Sequence, residues 1–429
     1  MSNSLTRFVS KGARYLYLHL WQYRTIEGVH RRRVEQVARR GHARVVFFAF
    51  SVPLWKYQHL YEALAADERF TATIVLSPPI DYDDDIKRHD LAALRDYFDK
   101  RQIAYVDYDV DSCEPPYDVK GRLDPDIVFY PQPYEHLLTP KHDCMAFYDR
   151  LVAFYPYSFM TGNGKFNYDF HFHNLAWRLY YACEEHLREA QTPAWNKGRN
   201  VRVVGHPNGD DFAAWRGRDP WKKIDDGRER KRLIWAPHFS FVDKFGQLPR
   251  ANFLWTAHFM LDMAQRYKEF LQIAFKPHPR LMTELYNHPE WGREHTDAYY
   301  RQWAEMENTQ LETGEYVDLF MSSDAMVHDC ASFVVEYYYT HKPVMYISRD
   351  IEHFLVGQTA LSREAFSHLY IGKDEYEIRD FIETVVMGGE DPRLEERDAF
   401  YRRYLEPPAG RTVARNTVDD LVTSLRLPQ

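Results

Sequence analysis

Lys276, Pro277, His278, Pro279 and Arg280 form the stretch of this chain best suited to chemistry. Two prolines fix the backbone around His278 and two cations flank them, so a ring nitrogen is placed to donate to an anionic oxygen. Further on come Asp329-Cys330-Ala331-Ser332 and, one turn later, Glu336. Asp and Ser are favoured on the turn before a helix, and Glu336 can accept hydrogen bonds from ribose hydroxyls. His238 and Ser240, in Ala236-Pro237-His238-Phe239-Ser240, offer hydrogen bonds to a phosphate or a base. Gly205, at the end of Val201–Val204, permits close backbone approach to a ligand or a tight turn. Each residue alone has an ordinary structural explanation, as a cap, a turn or a solvated charge. Together they describe a nucleotide-diphosphate pocket.

Such a pocket needs strands that end where these residues begin. The second half supplies candidates at Val201–Val204, Arg232–Trp235, Leu271–Phe275, Ala325–His328 and Val344–Ile347, with a helix over 253–268. The first half repeats the alternation: strands at Arg44–Phe50, Thr71–Leu76, Ile103–Tyr108, Asp126–Tyr130 and Leu151–Tyr155, and helices over 53–66 and 87–101. A long helix is expected over Asn174–Ala190. Strands alternating with helices imply parallel sheets built from βαβ units, and free N–H groups at strand ends and helix N-termini favour anions. Two α/β domains follow, over 45–195 and 201–390, with the polar stretch 191–200 as hinge and a cleft between them. Residues 391–429 end in a helical pattern (Thr417–Leu425) that can pack back across the domains.

At 429 residues the chain exceeds one ordinary core. A net charge of −8 argues against a nucleic-acid partner. The four cysteines show no CxxC pair, which suits reduced thiols in the cytoplasm, and no His, Cys or Asp cluster has metal-ligand spacing. The 31 tyrosines serve either stacking surfaces or cores, with cores favoured. No apolar run reaches transmembrane length. Residues 1–44 hold ten Lys/Arg against two acids, with aromatics interleaved. Two readings are equal there: an inner-leaflet membrane surface bound by the segment, or a helix packed on the first domain.

The stretches Trp235–His238 (WAPH), Lys276–Pro279 (KPHP), Leu319–Glu336 and Lys342-Pro343 resemble the CDP-glycerol glycerophosphotransferase family, whose members make teichoic-acid and capsule-like polymers. The resemblance covers roughly residues 150–425 and is more specific in its second half. It implies a GT-B fold, two Rossmann-like domains facing a cleft, and transfer of a polyol phosphate from a CDP-activated donor to an acceptor hydroxyl with release of CMP. The acceptor would be a polymer or a lipid-linked saccharide. By position, His278 would contact the donor pyrophosphate, Asp329 and Ser332 would shape the phosphate loop, and Glu336 would bind the ribose. Where the family has D-Y-S-S, this chain has Asp329-Cys330-Ala331-Ser332. Where the family has a first-domain W-H-G, it has Pro156-Tyr157-Ser158. Tyr157 thus stands on the acceptor side in place of the histidine that would act as base, and a phenol of ordinary pKa near 10 is a poor base at neutral pH. His171 and His173 lie just downstream and would face one side of an extended segment, so either can supply the imidazole.

The expectation is a cytoplasmic CDP-alcohol phosphotransferase, with His171 or His173 as base. His278, Lys276, Arg280 and the helix start at Asp329–Phe333 would stabilise the growing charge. It needs no cofactor; assistance by a divalent ion stays open. A nucleotide-sugar glycosyltransferase and a non-catalytic nucleotide-binding module are the alternatives.

Overall fold

The computed structural model describes residues 23–112, 116–162, 165–241 and 251–428. It divides into two compact units, the first formed by residues 1–210 with 406–429 and the second by 211–405.

The first unit is built on a seven-stranded sheet in the order β3-β2-β1-β4-β5-β6-β7. Its strands are β1 (Ala43–Ala49), β2 (Phe70–Leu76), β3 (Tyr105–Val106), β4 (Ile127–Tyr130), β5 (Leu151–Phe154), β6 (Arg178–Tyr181) and β7 (Val201–Val203). Every pairing in it is parallel. β1, β4 and β5 read ARVVFFA, IVFY and LVAF and are almost wholly buried, as central strands covered on both faces must be. Many of the tyrosines belong to this interior. Tyr57, Tyr155, Tyr168, Tyr180 and Tyr181 are all buried, and the Tyr57 hydroxyl donates to the Tyr130 carbonyl at 2.6 Å. Within the basic N-terminal segment, helix Tyr23–Arg40 packs on this unit through Tyr23, Ile26, Val34 and Val37. Arg33 and Arg40 pair with the fully buried Asp126. For residues 23–40 the structure therefore shows the packed helix; residues 1–22 lie outside the described residues.

Two expectations fail here. The long helix over 174–190 does not exist. Helix His171–Leu175 stops, Arg178–Tyr181 inserts as β6 between β5 and β7, and a second helix runs from Glu184 to Gln191. The aromatic run Trp177–Tyr181 has a helix-like apolar spacing, but β-forming aromatics flanked by two parallel neighbours gain more from sheet pairing. The expected hinge at 191–200 is also displaced. Leu179 pairs with Val201 and Tyr181 with Val203, so that segment is a loop within the first unit, and the division falls at Asp210 and Asp211.

The C-terminal helix Val413–Leu425 completes this unit, burying Val413, Val418, Leu421 and Leu425 in the first core. Both Asp210 oxygens accept at its start, from the N–H of Val413 at 2.7 Å and of Ala414 at 2.8 Å. Gly205 sits against the same helix with φ +103°, and a Cβ there would lie 2.7 Å from Val413 Cγ2. Its freedom serves close packing inside the first unit, not a donor pocket in the second. Gly205→Ala should cost about 2–4 kcal/mol, from left-handed strain together with overpacking, read as a lowered Tm. An unchanged Tm would contradict this packing role.

The second unit carries a six-stranded parallel sheet, order β10-β9-β8-β11-β12-β13. The strands are β8 (Lys231–Ala236), β9 (Leu271–Phe275), β10 (Thr309–Leu311), β11 (Ala325–His328), β12 (Val344–Ile347) and β13 (Tyr370–Gly372). Trp235, Phe253, Phe275 and Trp303 stack in its core. The strand order reverses between β8 and β11, the position where open parallel sheets bind ligands beyond their carboxyl ends.

Candidate functional site

At that reversal the loops after β8, β9 and β11 leave the same edge of the sheet. The β8 and β11 loops are tied together by Asp329, which is 1% exposed and directly follows β11. Its Oδ1 accepts the His238 N–H at 2.5 Å, and its Oδ2 accepts the Asn252 N–H at 2.6 Å and the Asn252 side-chain amide at 3.2 Å. That amide also reaches the Ile347 carbonyl at the end of β12, at 3.1 Å. Burial pushes the Asp329 carboxyl up to about 6, against the pull of these donors. One carboxylate thus fixes both ends of the β8 loop, up to the start of helix Phe253–Arg266, against the loop after β11. Asn252 was absent from the sequence reading, although an asparagine just before an apolar helical run is a cap signal that could have raised it.

His278 follows β9 and is half-buried. Its N–H donates to the Pro237 carbonyl at 3.0 Å, which holds the β9 loop against the β8 loop. Nδ1 accepts the Arg280 N–H at 3.1 Å, so the ring proton resides on Nε2, available to a ligand. Desolvation, helped by Arg280, lowers its pKa to about 4, so the ring donates as a neutral imidazole. The Phe239 ring lies 4.4 Å from the His278 ring and 4.5 Å from that of His238, and the Arg280 guanidinium stands 4.4 Å above it. His238 Nδ1 meets the Ser240 hydroxyl at 2.9 Å and the Ser240 N–H at 3.3 Å. His238, Ser240, His278, Arg280 and Asp329 are therefore brought into one cluster.

Other expected members stand differently. Lys276 is buried and its ammonium donates to the Gly314 carbonyl at 2.7 Å. Desolvation lowers its pKa to about 8. It braces the segment after β10 and does not line the edge where charge would develop. Ser332 lies on the same edge as His278, exposed, at the start of helix Phe333–Glu336, but its side chain makes no capping bond. That helix is a single turn, and the N–H groups of Phe333 and Val334 already bond to Cys330 and Ala331, so it supplies little of the dipole expected of it. Glu336 is 3% exposed, which rules out a surface salt bridge. Cys330, where the family pattern has a hydroxyl residue, is buried with its thiol directed at the Ala236 carbonyl, 3.4 Å away.

In the first unit, His171 and His173 lie on a helix and not on an extended segment. His173 is fully buried and caps that helix, its Nδ1 accepting the Phe170 N–H at 3.0 Å, and desolvation lowers its pKa to about 3. It is a structural residue. His171 bonds through Nδ1 to Glu135, which also accepts the Tyr148 hydroxyl at 2.7 Å. Its Nε2 is buried with no hydrogen-bond partner. Glu135, which follows β4, was not foreseen; nothing in its local sequence marks it. Tyr157 is 40% exposed, and desolvation, with Tyr134 and Tyr82 nearby, raises its pKa further from the range of a useful base. Beside it, at the ends of β5, β6 and β7, Ser158, Phe159, His186 and His206 line a narrow pocket. None of its space is wide enough for a water molecule. Among the described residues no cluster of three or more His, Cys, Asp or Glu could hold a metal ion, and no helix is long and apolar enough to cross a membrane.

The chain is similar in fold to solved structures of two kinds. The wall teichoic acid polymerase TagF superposes with a TM-score of 0.56 at 12% identity, over 98% of both chains. The UDP-GlcNAc 2-epimerase from Neisseria meningitidis bound to UDP-GlcNAc gives 0.55 at 14% identity, over 89% of this chain and 99% of that one. A putative UDP-N-acetylglucosamine 2-epimerase from Listeria monocytogenes gives 0.57 at 13%, over 90% and 98%. These likenesses establish the GT-B-type fold of paired Rossmann-like units. Comparison with curated protein sequences gives no match. The model of the CDP-glycerol:poly(glycerophosphate) glycerophosphotransferase family matches residues 168–422, which include every residue of the cluster around Asp329. The chain belongs to that family, and is a transferase of the glycerophosphotransferase type.

Proposed function

We propose that the protein transfers glycerol phosphate, or a related polyol phosphate, from a CDP-activated donor to an acceptor hydroxyl in cell-surface polymer synthesis, releasing CMP. The observation that carries this reading is the junction of the β8 and β11 loops on Asp329, with the β9 loop bonded alongside at Pro237 and carrying a neutral His278 whose Nε2–H is available. The acceptor oxygen attacks the phosphorus that bears the alcohol, and the bond from that phosphorus to the bridging oxygen breaks. CMP departs with the bridging oxygen while His278 and Arg280 hold the phosphate oxygens. Neither needs to exchange a proton, because the work is positioning and charge stabilisation. A histidine acts as the base. Of the two histidines foreseen, His171 is the candidate: a carboxylate holds Nδ1, and Nε2, buried and without a hydrogen-bond partner, must be uncovered to take the acceptor proton. The acceptor is a hydroxylated polymer end or a lipid-linked saccharide, and the basic N-terminal segment suits work near an anionic membrane surface.

The test is a donor panel. Incubation with CDP-glycerol, CDP-ribitol and UDP-sugars in the presence of a glycerol-phosphate acceptor should release CMP from a CDP-alcohol and no UDP. UDP release alone would replace this reading with a glycosyltransferase. In the same assay His171→Ala should lower kcat by about 10²–10⁴-fold, the usual contribution of a general base. A kcat within threefold of wild type would remove His171 from the mechanism.

A further inference from the structure

A diphosphate carries at least two negative charges, and among the described residues the cluster around Asp329 has little free positive charge to meet them. His278 is neutral, and the Lys276 ammonium is buried against the Gly314 carbonyl. The Arg280 guanidinium is shared with Glu284 at 2.9 Å, and Lys373, beyond β13, pairs with Glu352 at 3.5 Å. Among the described residues, one cation on this edge stands apart. Arg349, two residues past the end of β12, is exposed, and among the described residues no carboxylate lies within ion-pair distance of it. It is nonetheless held in place. Its guanidinium carbon stands 4.6 Å from the centre of the Trp255 ring, and the Trp255 indole N–H donates to Asn252 Oδ1 at 3.0 Å. Asn252 in turn bonds to both Asp329 and the Ile347 carbonyl. The guanidinium therefore rests on a platform fastened to the same carboxylate that joins the β8 and β11 loops. β12 is also the immediate neighbour of β11 in the sheet, so the loop carrying Arg349 is adjacent to the one carrying Asp329.

The geometry points to Arg349 as a binding residue for the donor's diphosphate, presented by Trp255 and supplying the charge that Lys276 does not. This rests on the donor reading above. A planar guanidinium can grip two phosphate oxygens at once, and stacking on an indole restricts it at little cost to its charge. Resting without a carboxylate partner leaves it nothing to break when the donor arrives.

Calorimetric titration of the full-length protein with CDP, and separately with cytidine, tests this without relying on turnover. Arg349→Gln should weaken CDP binding by about tenfold to a hundredfold, the effect of losing a charge-assisted hydrogen bond, and leave cytidine binding unchanged. Arg349→Lys should lose less than the glutamine variant, because the charge remains without the fork. Trp255→Leu should show an intermediate loss through Arg349, and no further loss when combined with Arg349→Gln. Melting curves confirm that each variant is folded; Arg349 is exposed, so its replacements do not disturb the core. Equal CDP affinity in wild type and Arg349→Gln overturns this role and leaves the donor reading intact. Equal losses for CDP and cytidine also overturn it, since the phosphates would then not be the contact. Absence of CDP binding by the wild type overturns both.

Discussion

His278→Ala should lower CMP release by about 10²–10³-fold, the range seen when a single oriented donor is removed from a developing negative charge. The ring is half-buried and its one side-chain hydrogen bond to the protein is Nδ1 accepting the Arg280 N–H, so the loss of its contact with Phe239 should lower the melting temperature only slightly. His278→Gln places an amide donor in roughly the same space and should recover part of the loss. The pH profile gives a second reading. Because desolvation lowers the imidazole to about 4, it is neutral throughout the range above pH 5, and its contribution should show no titration near the ordinary histidine value. An alanine variant within threefold of wild-type kcat/KM, with equal folding, would end the claim.

Asp329→Ala should be the most damaging single change in the second unit. It leaves the His238 N–H and the Asn252 N–H without their acceptor and the Asn252 amide with only the Ile347 carbonyl, in a part-buried setting. An unmet donor costs about 1–3 kcal/mol, so a loss of about 3–5 kcal/mol is expected after partial rearrangement, together with loss of activity. Asp329→Asn keeps the shape but faces an amide N–H towards one of these donors, so it should retain the fold and lose most donor binding. The two variants also bear on pH. The carboxyl rises from 3.8 to about 6 on folding, so the folded protein holds this proton more tightly than the unfolded chain. Its contribution to stability is then greatest below about pH 4 and falls as pH rises towards 6. In Asp329→Asn that slope should vanish from the urea midpoint measured against pH. A slope unchanged from wild type would place the titration elsewhere.

How legible this was in the chain depended on the kind of signal. Leu271–Phe275, Ala325–His328 and Val344–Ile347 were readable to the residue, because short apolar runs closed by proline, aspartate or serine leave a buried parallel strand few alternatives. Once those strands were placed, the loop residues on them followed. Side-chain direction was not readable in the same way. Lys276 and His278 are two residues apart in a proline-fixed loop, yet one ammonium bonds to the Gly314 carbonyl and the other side chain stays half-exposed, a choice made by tertiary contacts. The stretch 174–190 failed for a related reason: its apolar spacing fits a helix until β5 and β7 are present to pair with Arg178–Tyr181. Asn252, Glu135 and Arg349 gain their meaning only from neighbours distant in sequence.

The anchoring of residues 406–429 on the first unit has a consequence for biosynthesis. Emerging from the ribosome, residues 211–405 have everything their own sheet requires before the N-terminal sheet has received its final covering. The seven-stranded sheet must therefore wait, with part of its apolar surface uncovered, until Asp210 can receive the backbone of Val413 and Ala414.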